Sequence, residues 1–297
     1  MRITSEHVVY EMSPVNEAVA SCEPGSKVTF VTKDCFSNQI RTEDKLFEAT
    51  NWETINPATG PLAVKGASLG DTLKVEIEKI EIDDQGVMVT VPEMGALDKF
   101  IEESETKIIP IEEGFAVFNE QIKLPVEPMV GVIGTAPAEK TIPCGTPDSH
   151  GGNMDTSIIV AGSTLYLPVR VEGGLLAMGD LHAVMGDGEV AICGVEIAGE
   201  VTVNVDIIKG TSIQEPIVET ENAFYTISSA PTLDKAAQQA TDSMFVFLKE
   251  RIPLNNNQLA MLISLICDLQ ISQIVDPKKT ARMRVDKKAL AEYKLKF

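Results

Sequence analysis

Imidazole, carboxylate and flexible backbone come together twice in this chain, once with the side-chain amide of Asn153, in two glycine-rich stretches that hold two of its three histidines. The first runs Thr146-Pro-Asp-Ser-His150-Gly-Gly-Asn-Met-Asp155, the second Gly179-Asp-Leu-His182-Ala-Val-Met-Gly-Asp-Gly-Glu189. Such a mixture suits a metal-centred hydrolytic site: nitrogen and oxygen donors hold a cation, and glycines let backbone approach closely. Asp180 and His182 stand two apart, so on a strand both side chains leave from one face and could grip one cation. Gly186-Asp187-Gly188 reads as a hairpin turn. With the turn centred on Asp187, His182 faces Ile192, Asp180 faces Gly194, and Glu196 lies one step further on the same face, placed as a general base. A slip of register points Glu196 away.

His150 precedes Gly151 and Gly152, whose N–H groups could hold an oxyanion, and Asn153, which could donate to or orient an amide substrate. The competing reading is a glycine turn in which Asn153 and Asp155 cap their own backbone. Asp34 closes the strand expected at 27–33 and is either a ligand at a strand end or a turn residue. Cys144, within Pro143-Cys-Gly-Thr-Pro147, is the candidate cysteine nucleophile. A reactive thiol needs a base or a positive field, and the surrounding sequence offers neither, so the alternative is a small buried hydrophobe. His7 reads as a structural residue of an N-terminal strand. No G-x-S-x-G elbow, P-loop, G-x-G-x-x-G or H-E-x-x-H pattern is present, so nucleophilic serine chemistry has no visible apparatus.

The elements that must position these residues are mostly strands. Segments 27–32, 72–82 and 201–207 alternate apolar and polar residues, with Leu73, Val75 and Ile77 on one face and Lys74, Glu76 and Glu78 on the other. Turn signals punctuate them, among them Glu23-Pro-Gly25, Asn56-Pro57, Asp84-Gln-Gly86 and Glu172-Gly-Gly174. Short strands so spaced predict a β-sandwich or barrel rather than a parallel α/β sheet. Two helices come late. Thr232 caps one running to about residue 251, with Leu233, Ala237, Ala240, Met244, Phe245 and Leu248 on one side. The second, over 257–269, is apolar nearly all round and is expected to be buried. The expected fold is mainly β with an α+β C-terminal part. It divides into an N-terminal β-rich domain (1–125) and a metal-site β-rich domain (126–297) closed by the helices.

Composition narrows the function. A net charge of −19 over 297 residues repels phosphate backbones and anionic membranes, which argues against nucleic-acid or membrane partners. Charge is uneven: from Lys278 onward the balance is +6, leaving −25 on the remainder. That end is read as a solvated face or a contact with the acidic body, with a docking tail for an acidic partner as the alternative. Five scattered cysteines without a CxxC pair argue for reduced, mostly buried thiols. The longest apolar run, at 259–267, is too short to span a membrane, and no signal-peptide pattern opens the chain, so a cytoplasmic location is expected.

Taken in order, these stretches resemble the acetamidase/formamidase family. The likeness rests on Val31-Thr-Lys-Asp34, Asn56-Pro-Ala-Thr-Gly-Pro61, Gly66-Ala-Ser-Leu-Gly-Asp-Thr-Leu-Lys-Val75, His150-Gly-Gly-Asn-Met-Asp155, Gly179-Asp-Leu-His182 through Glu189, and Asp268-Leu-Gln-Ile-Ser-Gln-Ile-Val-Asp-Pro277. It implies a β-rich amidohydrolase that releases ammonia from short aliphatic amides and assembles as a homodimer or higher homo-oligomer. It also implies a divalent metal, with ligand roles for Asp34, His150, Asp180 and His182. Mixed oxygen and nitrogen donors suit zinc best, with manganese or a structural calcium as alternatives. Met185 stands where the family commonly has glutamine, which leaves room for an amide other than formamide or acetamide. Readings from a different class are a cysteine amidase using Cys144 and a non-catalytic small-molecule-binding β protein.

Overall fold

Alternating strands need a second apolar face to cover their own, and here two open sheets supply it to each other. The computed structural model describes residues 1–297. A nine-stranded sheet runs in the order Arg2–Ile3, Ser26–Thr32, Gly199–Ile208, Thr72–Ile82, Thr164–Pro168, Ile217–Glu219, Ala223–Ala230, Lys279–Asp286 and Cys267–Gln273. The second sheet carries the chemistry, with Gln85–Thr90, Glu196–Ile197, Leu176–His182, Met129–Gly134 and Gly151–Asn153 as successive neighbours. The mainly β expectation therefore holds, as packed open sheets rather than a closed barrel.

One cluster of 32 buried residues joins the sheets, with Phe30, Val75 and Val203 from the first meeting Ile133, Met178 and Ile197 from the second. Each such fully buried side chain contributes roughly 1.5–3 kcal/mol relative to exposure. The boundary expected near residue 125 does not divide this core. Gly199–Ile208 pairs with Ser26–Thr32 on one side and Thr72–Ile82 on the other, so a strand from the C-terminal part lies between two from the N-terminal part in one sheet.

The first helix, Leu233–Lys249, begins where expected, with the Thr232 hydroxyl accepting the Lys235 N–H. Its buried stripe runs through Ala236, Ala240, Met244, Phe247 and Leu248, which leaves Ala237 and Phe245 at the margin. The second helix corrects its expectation. It covers Asn256–Ile266, opened by an Asn255–Gln258 capping box, and buries only Leu259 and Ile263. Met261 is 66% and Leu265 81% exposed. Residues 267–269 leave the helix because Cys267–Gln273 pairs with Lys279–Asp286 as an edge strand.

The basic end folds onto the acidic body. Lys278 pairs with Asp148, Arg282 with Asp187, Arg284 with Asp268 and Lys287 with Glu219. No helix is long and apolar enough to cross a membrane.

Candidate active site

Leu176–His182 is buried along its whole length because strands flank it on both sides. Its last residue, His182, pairs directly with Glu196, and Leu181 with Ile197. The expected register, with His182 facing Ile192 and Asp180 facing Gly194, is therefore corrected. Residues 183–195 form a loop rather than a tight hairpin. The physical reason lies at Gly188, whose N–H donates to Ser272 O while its carbonyl accepts from Ile274 N–H, tying the loop to the C-terminal sheet. Glu196 still faces His182, since residues directly opposite on neighbouring strands share a face. Its Oε1 lies 3.1 Å from His182 Nε2.

Further carboxylates converge on the same nitrogen. Asp180 Oδ1 lies 3.6 Å and Asp155 Oδ1 3.9 Å from His182 Nε2. Donor atoms of Asp155, His182 and Glu189 all lie within 4.8 Å of one another, and so do those of Cys35, Asp180 and Glu196. Three of these acids adopt left-handed backbone: Asp155 at φ 41°, Asp180 at φ 55° and Glu189 at φ 49°. That conformation costs a non-glycine residue roughly 1–2 kcal/mol, and strain of this kind concentrates at functional sites. Gly131 makes room for the cluster. A Cβ there would stand 2.4 Å from Asp155 Oδ1 and 2.8 Å from Asp180 Oδ2.

Burial dominates the electrostatics. It raises the proton affinity of Asp155, Glu189, Glu196 and Asp276, and mutual repulsion among these carboxylates adds to it. Burial alone would lower the pKa of His182, but Glu196 and Asp180 outweigh it and hold the imidazole well above its ordinary value. Gly194 N–H donates to Glu196 Oε1 at 3.1 Å, and Met185 Sδ sits 3.2 Å from His182 Nδ1. Both Asp155 oxygens, Asp180 Oδ1, Glu189 Oε2, Glu196 Oε2 and His182 Nε2 are buried without a hydrogen-bond partner. Leaving buried charge unpaired is costly. One nitrogen and several hard oxygens converging in this way fit a divalent cation.

The residues singled out in sequence fare unequally. Asp180, His182 and Glu196 come together. Asp34 is buried near Asp180, but its Oδ1 accepts Asn38 N–H at 2.6 Å, and it falls in neither donor group. Burial raises its pKa to about 6. His150 is also absent from both groups, and burial lowers its pKa to about 4. The charges acting on it are chiefly Asp148, Lys140, Arg170 and Lys278, not the carboxylates around His182. Gly151 donates its N–H to Asp148 O, and Gly152 is paired with Ile133 in the sheet, so the expected oxyanion hole is not formed there. These glycines instead permit close packing, since a Cβ at 151 would meet Ile133 O at 2.3 Å and one at 152 would meet Thr146 O at 2.7 Å. Asn153 donates to Asp276 Oδ2 at 3.0 Å and keeps its own Oδ1 buried and unpartnered. Cys144 is fully buried with Met12, Ala58, Val132 and Ala177, and burial pushes its thiol up to about 12.

Sequence reasoning missed Asp155, Glu189, Asp276, Cys35 and Gly131. Asp155 and Glu189 close the two glycine-rich motifs, and Asp276 precedes Pro277 in the last one, so their place in those blocks was the available signal. Neither the cavity of about 530 Å³ beside Ile213 and Arg251 nor that of about 670 Å³ beside Tyr10 and Trp52 is lined by any carboxylate of the His182 cluster.

Residues 7–144 and 138–285 match the acetamidase/formamidase family. The chain is 47% identical to the acetamidase of Bacillus halodurans, with 99% of this chain and 100% of that one superposing at a TM-score of 0.97. An acetamidase from Yersinia enterocolitica is 30% identical, covering 97% of this chain and 92% of that one at a TM-score of 0.92. The formamidase of Methylophilus methylotrophus is 45% identical over 75 residues, 25% of this chain and 18% of that protein. A longer match, to a relative from Schizosaccharomyces pombe, is 27% identical over 252 residues and spans 64% of this chain and 61% of that protein. The chain belongs to the acetamidase/formamidase family.

Proposed function

We propose that the chain is a metal-dependent amidohydrolase that converts short aliphatic amides, formamide- or acetamide-like, to carboxylate and ammonia. The observation that carries this reading is the approach of three buried carboxylates to His182 Nε2 within 3.1–3.9 Å, amid donor atoms that lack partners. Asp155, His182 and Glu189 are the residues that would hold the cation, with Asp180 beside them. Zinc suits the mixed donors best, with manganese or calcium as alternatives. When bound, such a cation polarises a carbonyl and makes water more acidic.

The protein's own groups supply the rest. Glu196, raised in proton affinity by burial, takes a proton from the attacking water and returns it to the departing nitrogen, which leaves as ammonia. Asn153 Oδ1, buried and free, can accept an amide N–H and so orient the substrate. The burial of the cluster favours small substrates. A cysteine mechanism through Cys144 finds no support in its apolar surroundings. The test is ammonia release from a panel of small amides before chelation, after chelation and after metal return, with Cys144→Ser alongside. The expected result is activity lost and restored with metal, and an active Cys144→Ser protein. Activity indifferent to chelator yet abolished in Cys144→Ser would reverse the assignment.

A further inference from the structure

Asp155 and Glu189 reach His182 from loop segments rather than from the strands that fix His182 and Glu196. Both segments are fastened to one buried side chain outside the cluster, Arg282 on Lys279–Asp286. Its Nη1 donates to Thr156 Oγ1 at 3.1 Å and to Asp187 Oδ1 at 3.0 Å, and its Nη2 to Asp187 Oδ2 at 2.6 Å. Its Nε donates to Gln270 Oε1 at 2.9 Å, the residue opposite it on the neighbouring strand. Thr156 follows Asp155, and Asp187 lies two residues before Glu189. Further hydrogen bonds close the arrangement: Thr156 Oγ1 with Ser272 Oγ at 2.6 Å, and Ser157 Oγ to Asp187 Oδ1 at 2.8 Å.

We infer that Arg282 is a positioning residue that sets the distance between the carboxylates of Asp155 and Glu189 at His182, and through it the grip on the cation. This rests on the metal-site reading above. The guanidinium is planar and offers five donors in a fixed fork, so it can hold a carboxylate by two bonds and reach Thr156 and Gln270 at the same time. Lysine presents one point charge and cannot. Arg282 is 4% exposed while the Asp187 side chain is 44% exposed, so the loop is pinned from the interior outward. A surface ion pair contributes little to stability, but a fork fixing two ligand-bearing segments acts on geometry.

The test compares Arg282→Lys and Asp187→Asn with Arg284→Lys. The last is a control on the same strand whose partners, Asp268 and Asp286, touch neither segment. Zinc affinity is measured by competition with a chelating dye, kcat and KM by ammonia release, and the His182 ring signal by NMR of the metal-free protein. With three histidines in the chain, that signal is assignable from His150→Gln and His7→Gln variants. Arg282→Lys is expected to weaken zinc binding by about 10–100-fold, the range of outer partners of metal ligands. It should also lower kcat more than it raises KM, and shift the His182 signal. Asp187→Asn should do likewise, and the double variant should be no worse than either single one, since both break one fork. Arg284→Lys should change none of these. Unchanged zinc affinity, kcat and His182 signal in a folded Arg282→Lys protein would overturn the inference while leaving the metal site standing. If the unaltered protein binds no zinc and ignores chelators, the metal reading fails instead, and the kcat and His182 signals alone decide the role of Arg282.

Discussion

The candidate site has two halves held by different means. His182 and Glu196 are neighbours across a sheet, where backbone pairing sets their separation and strands on both sides bury them. Asp155 and Glu189 come from loops, reach His182 through strained backbone, and lie beside segments secured by side-chain hydrogen bonds around Arg282. The contrast teaches that one half is specified by the cooperative ladder of the fold and the other by a few polar contacts. Disturbing the first should damage chemistry with the protein otherwise intact. Disturbing the second should loosen the cation.

The strongest break in that comparison is expected at the sheet-held half. Glu196→Gln keeps size and hydrogen bonding but cannot accept a proton, so kcat should fall by about 10²–10⁴-fold with bound metal largely retained. Turnover and metal content measured on one preparation check it, and normal turnover with metal bound would remove Glu196 from the chemistry. At the loop-held half, Glu189→Gln should instead weaken metal binding by about 10–100-fold or more, with much of the activity recovered at excess metal. Failure of added metal to restore any activity would mean that Glu189 acts in catalysis itself.

The smallest effect on activity, and the sharpest on the boundary of the site, is expected at His150. Its folded pKa of about 4 lies below the ordinary value of 6.5, so the unfolded chain binds the extra proton first. Stability from its neutral burial is therefore full above pH 6.5 and is lost as pH falls towards about 4. The loss should approach roughly 3 kcal/mol. Asp34, raised to about 6, works in the opposite sense between roughly pH 4 and 6, so the quantity to follow is the difference between wild type and His150→Gln. Urea unfolding across pH 4–7 should give a flatter acid limb for His150→Gln, with zinc affinity within about twofold of wild type. A tenfold loss of zinc affinity would return His150 to the ligand set.

Much of the sheet-held half was legible from residues alone. The Asp180-x-His182 spacing placed both side chains at one site, and alternation located Thr72–Ile82 and Gly199–Ile208. Glu196 came to the right partner by the wrong route, because Gly186-Asp-Gly188 resembles a hairpin turn until Ser272 and Ile274 pair with Gly188. Those partners lie more than eighty residues away, beyond any local pattern. For the same reason Asp155 draws only the reading of a turn cap and Glu189 draws no role, and the apolar run of the second helix reads as buried. Hydropathy reports what a segment can bury, not how much of it a neighbour covers.

The left-handed backbone at Asp155, Asp180 and Glu189 bears on how this protein would respond to selection. All three positions combine a conformation that glycine adopts freely with a charge that is costly to bury. In the metal-free protein, replacing any of them with glycine would relieve both burdens. A search for heat resistance alone would therefore be drawn to the residues proposed to hold the cation, and on that proposal the most durable descendants would be inert. On the metal-site proposal, screening in the presence of metal would reverse that pull, because a bound cation would make the same carboxylates worth keeping.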